Sequence, residues 1–585
     1  MKHKILSSLG GCLLFALLLL VFPLKGQAAE MVVTDDDNGI KVEYTLTAME
    51  EADGYSAEVS FADKDSQSEE LDIKSTVKGQ NGISYNIKEV TSIEKNSNNN
   101  LTKINIAEGI TSMDYKALKA FDNDSIAIQF PSTLESITGS DGFISWSKYP
   151  DAVDTPKWLS KMTPENGVVY AGKVAIYVPQ AQSDADKVSE ITFKDGCTQI
   201  AHKAMFGNKD VTKINIPASV KMIRGAAFDS CTNLSEVTFA DNSQLEDLDW
   251  RVFYDCTALT AIKIPDSVTR IGTETFSGCT SLATIAISKE SKLTKLEYGA
   301  FGYYPYRVDI SAIRSNLYLG PRSNYGLREN AGAPIKKIYL PAAAVYSIEG
   351  EDAAGLFAGS KTLEEVTIGS SGETKASLPF EMFSGCTNLT MVNLNGNVDK
   401  INTGAFAECE KLTSINLDGV EKIQPYAFVK TGLKEVTIPS CVKSIASMAF
   451  GECLSLETMN LQSSLPEQNE ETKMMQILGI LSVHFNSQNS VIRSNEDFRR
   501  IYPKRTALKT LKIFKDSNGK NVIDGRREFV GHVSSLEEVV LPDGMTEIPD
   551  RTFHFCWSLK SVDMPESIQK IGNSAFQYDI SLNID

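Results

Sequence analysis

The sequence repeats itself, and this repeat restricts the possible folds more than any other feature. A unit that begins at Leu259 carries apolar residues at fixed offsets and ends in Thr275-Phe276, followed by Cys279; the next unit begins at Leu282. The same order recurs from Leu389, Leu433, Leu536 and Leu559. Phenylalanines recur at mostly 22 to 26 residue steps, and we predict that each is a buried anchor: Phe121, Phe206, Phe228, Phe253, Phe276, Phe301, Phe357, Phe383, Phe406, Phe428, Phe450, Phe529, Phe553 and Phe576. Such a period predicts an array of stacked units.

Each unit has the pattern of a single coil. The alternation Ile262-x-Ile264 is typical of a short strand whose apolar side chains point to one side, and Pro265 ends the strand pairing because it lacks an amide donor. One coil cannot bury its own apolar side, so the coils must stack. We therefore predict an α/β solenoid dominated by β structure, with about 22–26 residues per repeat. It should be a right-handed coil with a parallel sheet on its concave side and irregular or short helical turns opposite.

The unit resembles the BspA-type leucine-rich repeat of bacterial surface proteins over most of residues 85–582. The I-x-I-P, V-x-x-I and A-F-x-x-C elements keep their order and spacing. The segments 44–46 and 82–90 are similar to the start of that family, and 158–174 is similar to a further piece of it. The resemblance implies adhesion or ligand capture at the cell surface, without catalysis.

The first residues have the features of an export signal. Lys2 and Lys4 precede the apolar run 13–22, which is too short to span a bilayer comfortably, and Gly26 and Ala28 fit a signal peptidase site. We predict a signal peptide over 1–28, a β-rich N-terminal capping segment over 29–100 and the solenoid over 101–585. No later segment reaches the length of a transmembrane helix, so we expect a secreted or cell-surface protein.

At the other end, the last unit begins at Leu559 and the sequence stops as a new strand would start. An uncapped strand edge leads us to expect either that the native chain continues or that the edge is covered by self-association.

Ten cysteines are present, of which Cys12 lies in the signal segment. Seven of the other nine follow an anchor phenylalanine by three residues: 231, 256, 279, 386, 409, 453 and 556. This register predicts a ladder of free, buried thiols, because free cysteine is among the most buried residue types. Ser360 and Thr431 take the same place in other units. The alternative is a disulfide framework, which an exported chain could form.

Three stretches interrupt the period, at 141–190, 302–334 and 463–507. The first includes Asn166-Gly167, which predicts a hairpin turn. The second is rich in Tyr and Arg, the residues that dominate binding hot spots, so Tyr303, Tyr304, Tyr306 and Arg307 are secondary candidates for ligand contact. The alternative is that 302–334 form a degenerate coil whose aromatic side chains pack onto the solenoid. The third predicts a docked helix with Met474, Ile477, Leu478 and Leu481 on one side, with a polyanion site at its basic flank as the alternative.

Composition and motifs exclude several functions. The formal net charge of −17 argues against nucleic-acid binding, which needs clustered Lys and Arg. H-E-x-x-H, G-x-S-x-G, C-x-x-C and P-loop motifs are absent, and the histidines after residue 28 are spread over different units. His532 follows Phe529 by three residues, which suggests a structural place in the ladder register. Asp35-Asp36-Asp37-Asn38-Gly39 lacks the carboxylates that an EF-hand requires at its first and twelfth positions. We predict no catalytic residues, no metal site and no cofactor.

The remaining candidate is the outward side of the strands. Residues that flank the buried strand pair point away from the core by simple alternation. The candidate ligand-binding residues are Lys213, Asn215, Lys263, Tyr339, Asn393, Asn416 and Thr437. Strands about 4.8 Å apart would join them into a nearly continuous polar strip for an extended extracellular protein ligand. The alternative is a carbohydrate-binding or carbohydrate-degrading protein that uses the aromatic insertions. A third possibility is that these are ordinary solvated strand positions.

Overall fold

A computed structural model of the chain describes residues 31–37, 40–49, 54–61, 69–94, 101–119, 121, 126–139, 156–181, 183–297, 299–301, 334–346, 356–370, 372–465, 474–478, 507–579 and 581–582. The chain forms two compact units. The first comprises 1–232 with 237–245, and the second comprises 233–236 with 246–585. None of the described helices is long and apolar enough to cross a membrane.

The first unit starts with an antiparallel meander and continues with parallel strands. Strands β1, β2 and β3 pair antiparallel, and β3, β6, β8 and β10 then pair in parallel. A second parallel sheet has the order β4-β7-β9. Alternate residues of β2 are buried, including Tyr44 and Leu46. The strands are β1 Met31–Asp37, β2 Ile40–Ala48, β3 Tyr55–Phe61, β4 Glu70–Ile73, β5 Thr76–Lys78, β6 Ser84–Ile93, β7 Lys103–Ile106, β8 Ser112–Asp114, β9 Ala127–Gln129 and β10 Ser136–Thr138.

A hairpin follows in the same unit, as the Asn-Gly signal predicts. Asn166 and Gly167 both have positive φ (52° and 82°), and an isolated bridge joins Glu165 to Val168. Strands β11 and β12 then pair antiparallel, after which β12, β14 and β16 pair in parallel, as do β13 and β15. The strands are β11 Val169–Ala171, β12 Val174–Tyr177, β13 Glu190–Thr192, β14 Gln199–Ile200, β15 Lys213–Ile216, β16 Met222–Ile223 and β17 Glu236–Phe239.

The second unit is a stack of coils, most of which contribute one strand to each of two parallel rows. One row holds β19-β21, β23-β24-β26 and β29-β31-β32-β33-β35; the other holds β18-β20-β22, β25-β27-β28-β30 and β34-β36. The strands are β18 Asp247–Leu248, β19 Ala261–Lys263, β20 Arg270–Ile271, β21 Thr284–Ala286, β22 Lys295–Leu296, β23 Lys337–Pro341, β24 Glu365–Gly369, β25 Ala376–Leu378, β26 Met391–Asn393, β27 Val398–Ile401, β28 Lys422–Ile423, β29 Glu435–Ile438, β30 Ser444–Ile445, β31 Thr458–Leu461, β32 Thr510–Ile513, β33 Glu538–Val540, β34 Glu547–Ile548, β35 Ser561–Asp563 and β36 Lys570–Ile571.

Helix is scarce among the described residues. The α-helices are α1 Lys116–Lys119, α2 Ala342–Tyr346 and α3 Met474–Ile477, and the 3-10 helices are Lys157–Lys161 and Asp184–Asp186. The fold is therefore a β-dominated solenoid of parallel-strand coils, with less helix than an α/β description suggests. In α3 and just after it, Met474, Ile477 and Leu478 are buried, as expected for a docked helix. Leu481 lies outside the described residues.

The anchor phenylalanines stack along the core of the second unit. Phe253 and Phe276 have ring centroids 5.6 Å apart with nearly parallel planes, and similar pairs continue from Phe276 to Phe450. The backbone fixes this register, because the amide of one anchor donates to the carbonyl just before the next, as Phe253 N–H does to Thr275 (2.9 Å). The residues two before and two after an anchor have positive φ, for example Arg251 and Asp255.

This backbone signature corrects two of the predicted anchors. Met205 donates to the carbonyl of Ala227, and Val530 donates to that of Thr552, so these two residues hold the anchor positions. Phe206 follows the anchor Met205 by one residue, and Phe529 precedes the anchor Val530 by one residue. Adjacent apolar residues made the sequence register ambiguous at both places. As a consequence, Val533 holds the ladder register there, and His532 does not.

The cysteine ladder is present as free thiols. Each ladder thiol for which the bond is described donates to the carbonyl of the anchor one coil earlier, as Cys279 does to Phe253 (3.0 Å) and Cys409 to Phe383 (3.2 Å). Eight of the nine described cysteines are buried, and Cys441 is half-buried. Ser360 and Thr431 are buried at the same register. Small side chains are needed here because the neighbouring coil lies directly alongside.

Asp579 takes the ladder register in the coil of Phe576. It is 8% exposed, and its Oδ1 accepts a hydrogen bond from the Cys556 amide (2.8 Å). Burial raises the pKa of this carboxyl to about 7, against the opposing effect of that hydrogen bond. The folded chain thus holds a proton that the unfolded chain releases near pH 4. The stability associated with the protonated carboxyl is complete below about pH 4 and is lost as the pH rises through about 7.

We expect Asp579→Asn to stabilise the chain relative to wild type at pH 8.5 and to have little effect at pH 4, since the amide keeps the acceptor and cannot ionise. Denaturant unfolding at both pH values measures the difference. Asp563→Asn at an exposed position of β35 is the control, with no such pH-dependent gain. Equal shifts at the two pH values for Asp579→Asn would contradict this account.

Candidate functional site

The candidate surface in the second unit is the outward side of β19, β21, β23, β24 and β26, here called the strand face. Its inward residues, such as Ile262 and Val366, are buried, whereas the residues on either side of them point outward. Parallel pairing places equivalent residues side by side, with Lys337 opposite Glu365 and Tyr339 opposite Thr367. The alternation predicted from the sequence is therefore correct on these strands.

In the first unit, Lys213 and Asn215 are held by neighbouring strands. The Asn215 amide donates to Glu190 Oε1 (2.7 Å) and to Thr192 Oγ1 (2.9 Å), and its oxygen accepts from Thr238 Oγ1 (2.5 Å). The Lys213 ammonium lies 3.7 Å from Glu190. The polar groups of Asn215 are thus engaged within the sheet, and its role is to cross-link strands.

The same arrangement recurs around Thr437 in the second unit. The Asn460 amide donates to Glu435 Oε1 (2.7 Å) and to Thr437 Oγ1 (3.2 Å) one strand earlier. Asn105 in the first unit likewise donates to Glu70 (3.3 Å) and Asp72 (2.6 Å). Sequence reasoning did not identify Asn460 or Asn105 in this role. The signal was an Asn on the next strand of the sheet, 23 to 35 residues after a pair of acceptors spaced two residues apart.

Asn393 and Asn416 differ in their settings. The Asn393 amide donates weakly to Thr367 Oγ1 (3.4 Å) on the adjacent strand. Asn416 is exposed, but the residues around it form no strand, and its side chain bonds locally to Asp418. The predicted strip is therefore interrupted at this coil, between β26 and β29.

Lys263 and Tyr339 are the candidate residues whose polar groups are least engaged in contacts with the rest of the fold. Lys263 is exposed on β19, and its side chain forms no ion pair or hydrogen bond with the residues that the structure describes. Tyr339 is half-buried, and a Cβ added at Gly369 would lie 1.7 Å from its hydroxyl oxygen. The missing side chain of Gly369 lets the phenol ring lie across β24. Burial, followed by the negative charge of Glu290, raises the pKa of Tyr339.

The secondary candidates Tyr303, Tyr304, Tyr306 and Arg307 lie outside the described residues. The rings on either side of that stretch are described: Phe301 and Phe357 stack at 5.1 Å. The core thus continues directly from the coil of Phe301 to that of Phe357.

A cluster of ionisable side chains lies elsewhere in the second unit, where the sequence analysis expected none. The His532 Nε2 lies 3.6 Å and the His554 Nδ1 lies 3.9 Å from Glu528 Oε1. Burial, then the charge of His532, lowers the pKa of His554 to about 4. His532 and His554 lie side by side although they belong to different coils, because their separation of 22 residues is one repeat. That spacing was the signal in the sequence.

Comparison with known protein families gives one match. A family model described as the BspA type leucine rich repeat region matches six copies, over residues 198–316, 353–476 and 525–584, which is just over half of the chain. No curated protein matches this sequence.

Several solved structures are similar in part. A leucine-rich repeat protein from Bacteroides ovatus is 22% identical, covering 72% of this chain and 90% of that one, with a TM-score of 0.33. The Treponema pallidum leucine-rich repeat protein is 21% identical, covering 43% and 90%, with a TM-score of 0.25. A leucine-rich cell surface protein from Faecalibacterium prausnitzii is 18% identical, covering 78% and 99%, with a TM-score of 0.26.

Proposed function

Because the chain belongs to the BspA-type leucine-rich-repeat family, we propose that it is an exported binding protein, secreted or held at the cell surface, and that its ligand is an extracellular protein. The signal-like segment over 1–28 supports export. Solenoids present extended surfaces on which a ligand can make many modest contacts.

The observation that carries the proposal is that part of the strand face consists of exposed side chains that do not cross-link neighbouring strands. Ala261, Lys263, Thr284 and Ala286 are all exposed on the paired strands β19 and β21. They offer methyl groups, a hydroxyl and an ammonium on a regular parallel sheet. Tyr339, farther along, adds an aromatic ring, a residue type enriched in binding hot spots. This combination suits a protein surface better than it suits a small molecule, which prefers a concave pocket.

The weakly charged character of this face also favours a protein ligand. Lys337 is neutralised by Glu365 (2.8 Å), and Lys336 lies 4.0 Å from Glu364. Paired charges at the rim contribute more to the choice of partner than to raw affinity. The carbohydrate alternative depends on tyrosines outside the described residues and stays a prediction.

The full chain should be tested on an array of extracellular matrix proteins and glycans, followed by surface plasmon resonance on the proteins that bind. We expect protein rather than glycan ligands, with Lys263→Glu and Tyr339→Ala each weakening binding by about 10-fold or more, as for residues at the centre of an interface. Antibody staining of intact cells checks the location.

Lys292→Glu is the matched control, because it makes the same charge change at an exposed residue off the strands. It should leave binding unchanged. Binding that survives both strand-face variants but fails with Lys292→Glu would exclude this face, and a ligand found only among glycans would favour the carbohydrate function.

A further inference from the structure

We infer that Glu528, His532 and His554 form a binding site for a divalent transition-metal ion of the Zn²⁺ class, held between two successive coils of the second unit. The three ligand atoms all lie within 4.8 Å of one another. Two imidazoles and one carboxylate are a donor set that Zn²⁺ binds in proteins. This site is separate from the strand face and does not depend on the proposed function.

The geometry is close to what coordination requires. Ligands about 2.1 Å from a tetrahedral ion lie roughly 3.4 Å from one another. Glu528 Oε1 is 3.6 Å from His532 Nε2 and 3.9 Å from His554 Nδ1, so closure needs only small side-chain movements. Glu528 Oε1 thus already lies near both imidazoles, where it could serve as the third ligand.

The backbone holds the two histidines in place. The His532 amide donates to the His554 carbonyl (2.8 Å), and the Glu528 amide donates to the Asp550 carbonyl (3.0 Å). Glu528 and His532 are the two positive-φ residues that flank the anchor Val530, and their side chains meet at 3.6 Å. The site is therefore built into the repeat, at positions that other coils fill with different residues.

His554 carries a ring nitrogen atom that no described residue engages in a hydrogen bond. The residue is 8% exposed, and its Nδ1 has no hydrogen-bond partner among the described residues. A buried polar atom without a partner is costly and calls for an explanation. A metal ion bound at Nδ1 would satisfy it and would leave coordination positions for water or a further ligand.

A purely structural role is the competing account. His532 packs against Phe555 at 4.9 Å and His554 against the same ring at 4.0 Å, so the imidazoles also belong to an aromatic cluster. Aromatic packing does not need a carboxylate between the imidazoles or a free Nδ1. The positive charge of Arg551 acts on His554 and would weaken the binding of a cation.

Untagged, chelator-treated full chain should be titrated with ZnCl₂ by calorimetry, and with CoCl₂ by visible absorption. We expect one Zn²⁺ per chain, Co²⁺ absorption typical of a site with nitrogen ligands, and a rise in Tm with Zn²⁺ but not with Mg²⁺. Glu528→Gln and His532→Gln should each weaken Zn²⁺ binding by at least about 100-fold. That is the upper end of the cost of losing a residue that only hydrogen-bonds to a metal ligand, and these two residues are ligands themselves. Arg551→Gln should tighten it.

The control is His202→Gln, since His202 lies in the first unit, outside the cluster. It should bind Zn²⁺ as wild type does. Because Glu528 and His532 lie next to the buried His554, folding of each variant is checked by circular dichroism. The exposed Arg551→Gln variant keeps the test valid if others misfold. No saturable Zn²⁺ binding, or binding unchanged in Glu528→Gln and His532→Gln, would overturn the proposal.

Discussion

Replacement of Phe276 by alanine is expected to lower the free energy of unfolding by about 3–5 kcal/mol, the range for truncation of a buried phenylalanine. The ring is fully buried and is stacked between Phe253 at 5.6 Å and Phe301 at 6.3 Å. Its loss removes apolar contact on two sides at once. The neighbouring coils cannot close the gap, because their backbones are held at the spacing of the parallel strands.

Denaturant unfolding followed by circular dichroism measures this cost, with Phe276→Leu as an intermediate case. Phe514→Ala is the matched control, since Phe514 is 40% exposed just after β32. Surface substitutions typically change stability by less than about 0.5 kcal/mol. Similar values for Phe276→Ala and Phe514→Ala would show that the stack does not stabilise the coils.

The period of the sequence predicted the coils because each unit repeats the same burial problem many times. One-residue errors arose where two apolar residues are adjacent, at Met205-Phe206 and Phe529-Val530. Either residue of each pair is apolar and could fill the anchor position in the core. The choice is made by the amide of Met205 or Val530, which bonds to the next coil. That bond joins residues 22 apart in sequence and has no local signal.

The sequence predicts which side chains of the candidate site point outward, but it does not predict which of them are available to bind a ligand. Alternation along a strand shows that Asn215 and Lys263 both point outward. Whether an outward side chain is available depends on the strand one coil away, where Glu190 and Thr192 engage Asn215. The Glu528 cluster was missed for a related reason: motif searches look within a unit, whereas a solenoid brings together residues one repeat apart.

The ladder thiols are expected to be almost unreactive in the folded chain, and all nine cysteines after residue 28 should react once the chain is unfolded without reductant. Burial hides the sulfur atoms and also raises the pKa of Cys279 and Cys386 to about 12 and that of Cys453 to about 11. Because the thiolate is the reactive form, both effects slow alkylation. Ladder thiols should react at least about 100-fold more slowly than an accessible thiol, since they wait for local opening of the coils.

Cys441 serves as the internal comparison, because it is half-buried and lies outside the ladder register. Time-resolved alkylation with peptide mass mapping should find Cys441 modified first, and the ladder cysteines together and much later. Their common rate would follow from a shared structure, in which the thiols of Cys231, Cys279, Cys386, Cys409, Cys453 and Cys556 each donate to the anchor carbonyl one coil earlier. Unfolded protein with fewer than nine reactive thiols, or peptides that join Cys231 to Cys256 or Cys386 to Cys409, would mean that the chain uses disulfides where the structure has a ladder of buried, separate side chains.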